Sequence, residues 1–330
     1  MSERNRIVGI DSLKGFAILT VVFGHCIDWI LKAEIYPNFN QILYVLFNFI
    51  YSFHMPLFFM ISGLLFWYSK VYSRFKIKVI DFIWIYFIWE FIIWFFKYIF
   101  SNHATNTVDI NTLFSIIYKP IGPLWYLYVL ICFYIFFSKK KIEKVSTRVL
   151  IVTAVVSITA KFISVDIGII QRILYHMYFF VLGGYIAQRY NQIDQIKRNC
   201  IVIMILIAII LFFVESNLVD SFLKHIIVFS VANLLSISCL CLFFNKHKLI
   251  YFEMLGVNCM YIYVIHCFII AFVTIFFKRM PQLGISLYFF LSVVLGVGIP
   301  LLIAELSKHI SIIKLLFSPY KTIKIYKSSF

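Results

Sequence analysis

Charge is what this chain has least of. Asp, Glu, Lys and Arg together make up 13% of its 330 residues, and only 14 are acidic. Soluble domains carry about a quarter charged residues. So little charge cannot cover a water-facing surface, which excludes an ordinary soluble fold. Glycine (12) and proline (7) are also sparse, which excludes low-complexity linkers and repeat-rich fibres. Polar stretches between the apolar runs are too short to house a soluble domain, which takes at least about 50 residues. The cysteines at 26, 132, 200, 239, 241, 259 and 267 show no CxxC spacing. No zinc ribbon or dithiol redox motif is therefore expected, and they read as buried thiols. Acidic residues are outnumbered by 30 basic ones, for a net charge of +16. The basic residues form no single patch or tail, so the charge does not indicate nucleic acid.

What is present is apolar. Hydrophobic residues make up 63% of the chain, aromatics 20%, and the mean hydropathy is +0.95. The expected fold class is an all-α integral membrane protein with about ten transmembrane helices. The apolar runs place them at 7–31, 42–66, 80–100, 122–138, 149–165, 172–188, 200–217, 224–244, 250–277 and 284–306. Each is compatible with the roughly 20 residues that span a bilayer as a helix. Basic residues crowd alternate gaps, chiefly 70–78, 139–148, 189–198 and 308–327. By the positive-inside rule those gaps, and both termini, are cytoplasmic. Residues 1–307 then form one transmembrane domain, and 308–330 a basic cytoplasmic tail suited to the anionic inner leaflet. The first run lacks a small-x-small cleavage site and is read as a retained span.

That first run, "IDSLKGFAILTVVFGHCIDWI", holds Asp11, Lys14, His25 and Asp28. At 100° per residue the four side chains fall within roughly 100° of arc. A charge at the bilayer centre costs at least about 2.5–3.5 kcal/mol, so this stripe must face the protein interior. Lys14 and His25 are about 16 Å apart along the helix. Asp11 and Lys14 are either an i,i+3 pair near the headgroups or part of a site.

Two more runs carry histidine. "YSFHMPLFFMISGLLF" has His54 beside Pro56, which either marks a plain kink or lines a cavity. "EMLGVNCMYIYVIHCFII" has Asn258, Tyr263 and His266. On the expected topology His25, His54 and His266 lie at similar depth on three helices, which points to a shared site. Glu90 sits mid-span in the third run with Lys97 two turns on, as a pair or with Lys97 snorkelling outward. Trp125 and Tyr126 are either an interfacial aromatic belt or a stacking surface for a sugar.

The stretches "IDSLKGFAILTVVFGH", "FHMPLFFMISGLLF", "GPLWYLYVL", "YHMYFFVLGGYI" and "LGVNCMYIYVIH" resemble, in order, the acyltransferase-3 family of membrane proteins, in particular its fucose 4-O-acetylase-like branch. The resemblance implies transfer of an acyl group, usually acetyl, from cytoplasmic acetyl-CoA to a hydroxyl of an extracytoplasmic or lipid-linked glycan, in a bacterial plasma membrane. It implies no metal. The family's basic-residue-to-histidine spacing falls on Lys14 and His25, with Lys where Arg is usual. An ammonium lacks Arg's bidentate fork. The family's paired arginines are replaced in "YSKVYSRFKIKVIDF" by Arg74, Lys76 and Lys78, a basic loop suited to CoA phosphates or to topology alone. Cys259 stands where Ser is common.

On this reading His25 takes the acceptor's proton, since imidazole titrates near pH 6.5. Asp28 orients its ring, and His54 and His266 polarise the thioester or position the acceptor. Rival readings are a succinyltransferase, a proton-coupled transporter of glycan or solute, and a non-catalytic assembly partner. Against the transporter, the chain shows no two related halves.

Overall fold

In hydrocarbon a chain must satisfy its own backbone hydrogen bonds, so long apolar runs that cross a bilayer are helices or closed barrels. Here they are helices. The structure is a computed structural model and describes residues 7, 9–69, 75–99, 108–139, 144–160, 168–193, 196–215, 221–243 and 249–317. In chain order the helices are α1 (Ile10–Ala33), α2 (Asn40–Tyr68), α3 (Phe75–Ile99), α4 (Ile110–Ser115), α5 (Trp125–Lys139), α6 (Thr147–Thr159) and α7 (Ile169–Ala187). There follow α8 (Tyr190–Ile193), α9 (Arg198–Glu215), α10 (Ser221–Phe243), α11 (Ile250–Val257), α12 (Cys259–Arg279), α13 (Ile285–Leu306) and α14 (Ser311–Phe317). No strand occurs among the described residues.

By length and composition, seven of these helices can cross a membrane: α1, α2, α3, α9, α10, α12 and α13. The apolar helices α5 and α6 are shorter. In the 19-residue α7, Gln171, Arg172 and His176 lower the hydropathy. The ninth apolar run is not one helix but two. At Asn258 the backbone leaves helical geometry (φ −98°, ψ 13°), and the side-chain amide donates to the Met254 carbonyl at 2.9 Å. A local side-chain bond of this kind offers the backbone an alternative to the helix ladder.

α1 lies at the centre, packed against α2, α10, α11, α12 and α13. Two of the helix crossings in this bundle depend on glycine. A Cβ on Gly15 of α1 would strike the Phe252 carbonyl oxygen, and one on Gly256 of α11 would strike that of Asp11. The α2–α7 crossing repeats the device: Gly63 lies against the Phe180 carbonyl and Gly183 against that of Met60. Without a hydrophobic drive between helices in lipid, close backbone approach supplies the association energy. Beyond His25, the fully buried Tyr288 of α13 donates to the Cys26 carbonyl at 3.0 Å and meets Thr274 Oγ1 of α12 at 3.0 Å. That contact ties α1, α12 and α13 together one residue from the histidine.

Part of the basic tail is folded. Trp84 and Trp89 of α3 donate through their indole N–H groups to the carbonyls of Leu315 and Leu316 in α14. Phe317, 4% exposed, packs on Tyr261 with ring centroids 4.1 Å apart. The chain beyond 317, and the N-terminal residues 1–6, lie outside the described residues.

Replacing Gly63 by Ala is expected to cost about 1–3 kcal/mol through overpacking. Thermal unfolding in detergent would show it as a lower midpoint. Gly298→Ala, where nothing lies within 4 Å of the added carbon, should leave the midpoint unchanged.

Candidate functional site

Three helices bring the site together. α1 presents His25, α2 presents Tyr51 and His54 on one face three residues apart, and α12 presents His266 and Cys267. The His25 and His266 rings lie 5.2 Å apart between centroids. Tyr51 links His25 to the third histidine, with its ring 6.2 Å from His25 and 4.6 Å from His54. Its hydroxyl is 3.5 Å from His25 Nδ1. His54 and His266 are buried (3% and 0% exposed), whereas His25, Tyr51 and Cys267 are half-buried. The three histidines read as one site therefore do converge.

Backbone geometry fixes two of the rings. His54 Nδ1 lies 2.8 Å from the Ile50 carbonyl, and His266 Nδ1 lies 2.7 Å from the Ile262 carbonyl. A carbonyl only accepts, so each Nδ1 carries its proton and donates it one turn back. In the neutral ring the Nε2 lone pair is then available. For His266 that Nε2 lies 3.3 Å from Cys267 Sγ. His25 has no such bond to its own helix, and the Tyr51 hydroxyl is its hydrogen-bond partner. One ring nitrogen each from His25 and His266, together with Cys267 Sγ, lie within 4.8 Å of one another.

The other expected site residues have other partners. Asp28 accepts from Lys32 Nζ at 2.6 Å, and no bond joins it to the His25 ring. Lys14 pairs with Asp11 at 2.6 Å, the i,i+3 arrangement. Lys76 and Lys78 are exposed in the first turn of α3, and Arg74 lies outside the described residues. Asn258 marks the α11–α12 break. Tyr263 is buried and donates to the Pro123 carbonyl at 2.6 Å.

Glu90 and Lys97 are not an ion pair. They grip the backbone of one residue: the Ile121 N–H donates to Glu90 Oε2 at 3.0 Å, and Lys97 Nζ donates to the Ile121 carbonyl at 3.4 Å. With Tyr86 donating to the Ile116 carbonyl and Tyr263 to that of Pro123, the segment before α5 is pinned at several points. Glu90 is 0% exposed, and its Oε1 has no hydrogen-bond partner. Tyr126 is buried against Phe59 and shares a 2.7 Å hydrogen bond with Ser62. Trp125 lies under the Arg172 guanidinium at 4.5 Å and beside His176 at 5.2 Å. Neither aromatic is a plain lipid-facing belt residue.

Sequence reasoning passed over Tyr51 and Cys267. Tyr51 was accessible to it, because a residue three before His54 must share its face. Cys267 was not, since adjacent helical residues diverge by 100° and only the fold returns its sulfur to the ring.

Comparison with curated proteins and with solved structures finds no match. A family model described as an acyltransferase domain, that of acyltransferase-3, matches residues 7–305. It spans α1 to nearly the end of α13 and includes all three histidines. The chain belongs to the acyltransferase-3 family and is a multi-pass membrane acyltransferase.

Proposed function

We propose that this protein moves an acetyl group from cytoplasmic acetyl-CoA to a hydroxyl of a cell-surface polysaccharide, or of its lipid-linked precursor, in a bacterial plasma membrane. The observation that carries this reading is the 5.2 Å approach of the His25 and His266 rings from opposite ends of the chain, within an acyltransferase domain. Acyl transfer to an alcohol needs a base at the attacking oxygen, and the half-buried His25 is the one ring here whose tautomer its own helix does not fix.

In the productive tautomer His25 Nδ1–H donates to the Tyr51 hydroxyl, and Nε2 takes the proton of the sugar O–H as that oxygen adds to the thioester carbonyl. Collapse of the tetrahedral intermediate breaks the C–S bond, and the imidazolium returns the proton to the departing CoA thiolate. Neutral His54 and His266 offer lone pairs at Nε2, so they orient hydroxyls of the acceptor. Polarising the thioester carbonyl would require a ring N–H that both have already given to the backbone. Asp28 adds negative potential near Tyr51 and Cys267, while Tyr51 takes the ring-positioning role. Arg74, Lys76 and Lys78 suit the CoA phosphates, and Lys14, with Asp11 and the nearby Cys259, the path of the pantetheine arm. Glu90 and Lys97 hold the Ile121 segment beside Tyr263.

Membrane vesicles supplied with acetyl-labelled CoA and the host's lipid-linked glycans test this directly. Wild type should label glycan, and His25→Ala at matched expression should fall by about 10²-fold or more. Normal transfer by His25→Ala sinks the mechanism, and label appearing only with succinyl-CoA changes the acyl group.

Tyr51→Phe removes one hydrogen bond of about 1 kcal/mol. Single-turnover assays should show roughly a fivefold slower transfer step, with the affinity for acyl-CoA unchanged. An unaltered rate would remove Tyr51 from the mechanism.

A further inference from the structure

The cluster of His25, His266 and Cys267 has more chemistry than acyl transfer uses. Two imidazole nitrogens and a thiol sulfur lie within 4.8 Å of one another. Zn²⁺ takes N and S ligands at about 2.0–2.3 Å in a tetrahedron, which puts ligand atoms roughly 3.3–3.6 Å apart. The His266 Nε2 to Cys267 Sγ separation is already 3.3 Å. Only the His25 ring, on a neighbouring helix and free of any bond to its own backbone, has to close in.

The surroundings fit an ion as well as the ligands do. Metal-bound histidines characteristically donate their other ring N–H to a carbonyl or carboxylate, which fixes the tautomer and aims the lone pair. His266 does this through Nδ1 to the Ile262 carbonyl at 2.7 Å. Asp28 is close enough to Cys267 to add favourable charge, whereas Lys32 and Lys97 are close enough to oppose it. Both cations have partners of their own, Asp28 and the Ile121 carbonyl. His25 and Cys267 are half-buried rather than sealed. A site with three protein ligands keeps its fourth position for water.

We propose that His25, His266 and Cys267 form a binding site for a thiophilic divalent cation of the Zn²⁺ type, and that the bound ion inhibits acyl transfer. Binding displaces the Cys267 thiol proton to solvent, and metal–ligand bonds occupy the lone pairs of His25 and His266. His25 then cannot accept the sugar proton. The inhibitory half rests on the His25 base reading above, whereas the binding half stands on the geometry alone.

Two measurements separate those halves. In the first, detergent-purified protein is titrated with Co²⁺. Wild type should take up one ion with a thiolate-to-cobalt charge-transfer band in the near ultraviolet. Cys267→Ala should lose that band while Cys241→Ser keeps it. No band in wild type, or one that survives Cys267→Ala, overturns the site whatever the enzyme's activity. In the second, Zn²⁺ is titrated into the vesicle transfer assay. Measured against its own metal-free rate, Cys267→Ser should need at least about tenfold more Zn²⁺ for half-inhibition than wild type does, the weight of one lost ligand bond. Equal sensitivity of the two proteins overturns the inhibitory role.

Discussion

A bilayer tolerates buried charge only where protein surrounds it, and α1 carries four ionisable groups on one stripe. Everything in the described bundle answers that demand. α1 is enclosed by α2, α10, α11, α12 and α13, and enclosure at this density needs helices whose backbones nearly touch. Gly15 against Phe252, and Gly256 against Asp11, provide it on the α11 side. Gly63 and Gly183 draw α7 onto α2, the helix that presents Tyr51 and His54. These glycines thus set the α1–α11 and α2–α7 spacings.

Several polar groups inside the bundle are satisfied by short-range means. Ser52, His54, His266 and Thr274 all donate to carbonyls three or four residues back on their own helices. Such bonds need no partner helix, so they survive small shifts between helices and leave the remaining atoms for a substrate. Tyr263, Glu90 and Lys97 act across elements instead. They hold the chain around Ile121 and Pro123 by its backbone groups, anchoring an irregular segment that hydrocarbon would otherwise penalise. Among the described residues, the buried side-chain atoms without a hydrogen-bond partner are Oε1 of Glu90, where that segment meets α3, the amide oxygen of Asn233 and the hydroxyls of Ser138, Ser236, Ser238 and Ser292.

Much of this was legible in the sequence, for a reason that can be stated. In lipid the hydropathy pattern alone specifies helix, so the apolar runs and the observed helices agree to within several residues at their ends. The polar stripe of α1 and the convergence of His25, His54 and His266 followed from helical phase and depth. What was not legible depends on rotamers and on crossings. Asp28 has two candidate neighbours within a turn, His25 at i−3 and Lys32 at i+4, and the opposite charge wins. Glu90 and Lys97 look like an ion pair at two turns' spacing. Only the path of the chain around Ile121 reveals that they share a backbone instead. The break at Asn258 is a capping decision inside an unbroken apolar run, and hydropathy does not register it.

The fixed tautomers have the widest consequence. A neutral imidazole has one N–H, and His54 and His266 have each given theirs to a carbonyl behind them. Both therefore face the site as acceptors. Acceptors suit a sugar, whose hydroxyls arrive as donors, and they do not suit a thioester carbonyl or its oxyanion. On the proposed mechanism the oxyanion then draws its donors from elsewhere: a main-chain N–H or a histidine protonated during the cycle. The same surplus of lone pairs beside a thiol describes a soft-metal site. The proposed acceptor contact and the proposed metal site thus share one feature, the turn-back hydrogen bond that His266 makes to Ile262.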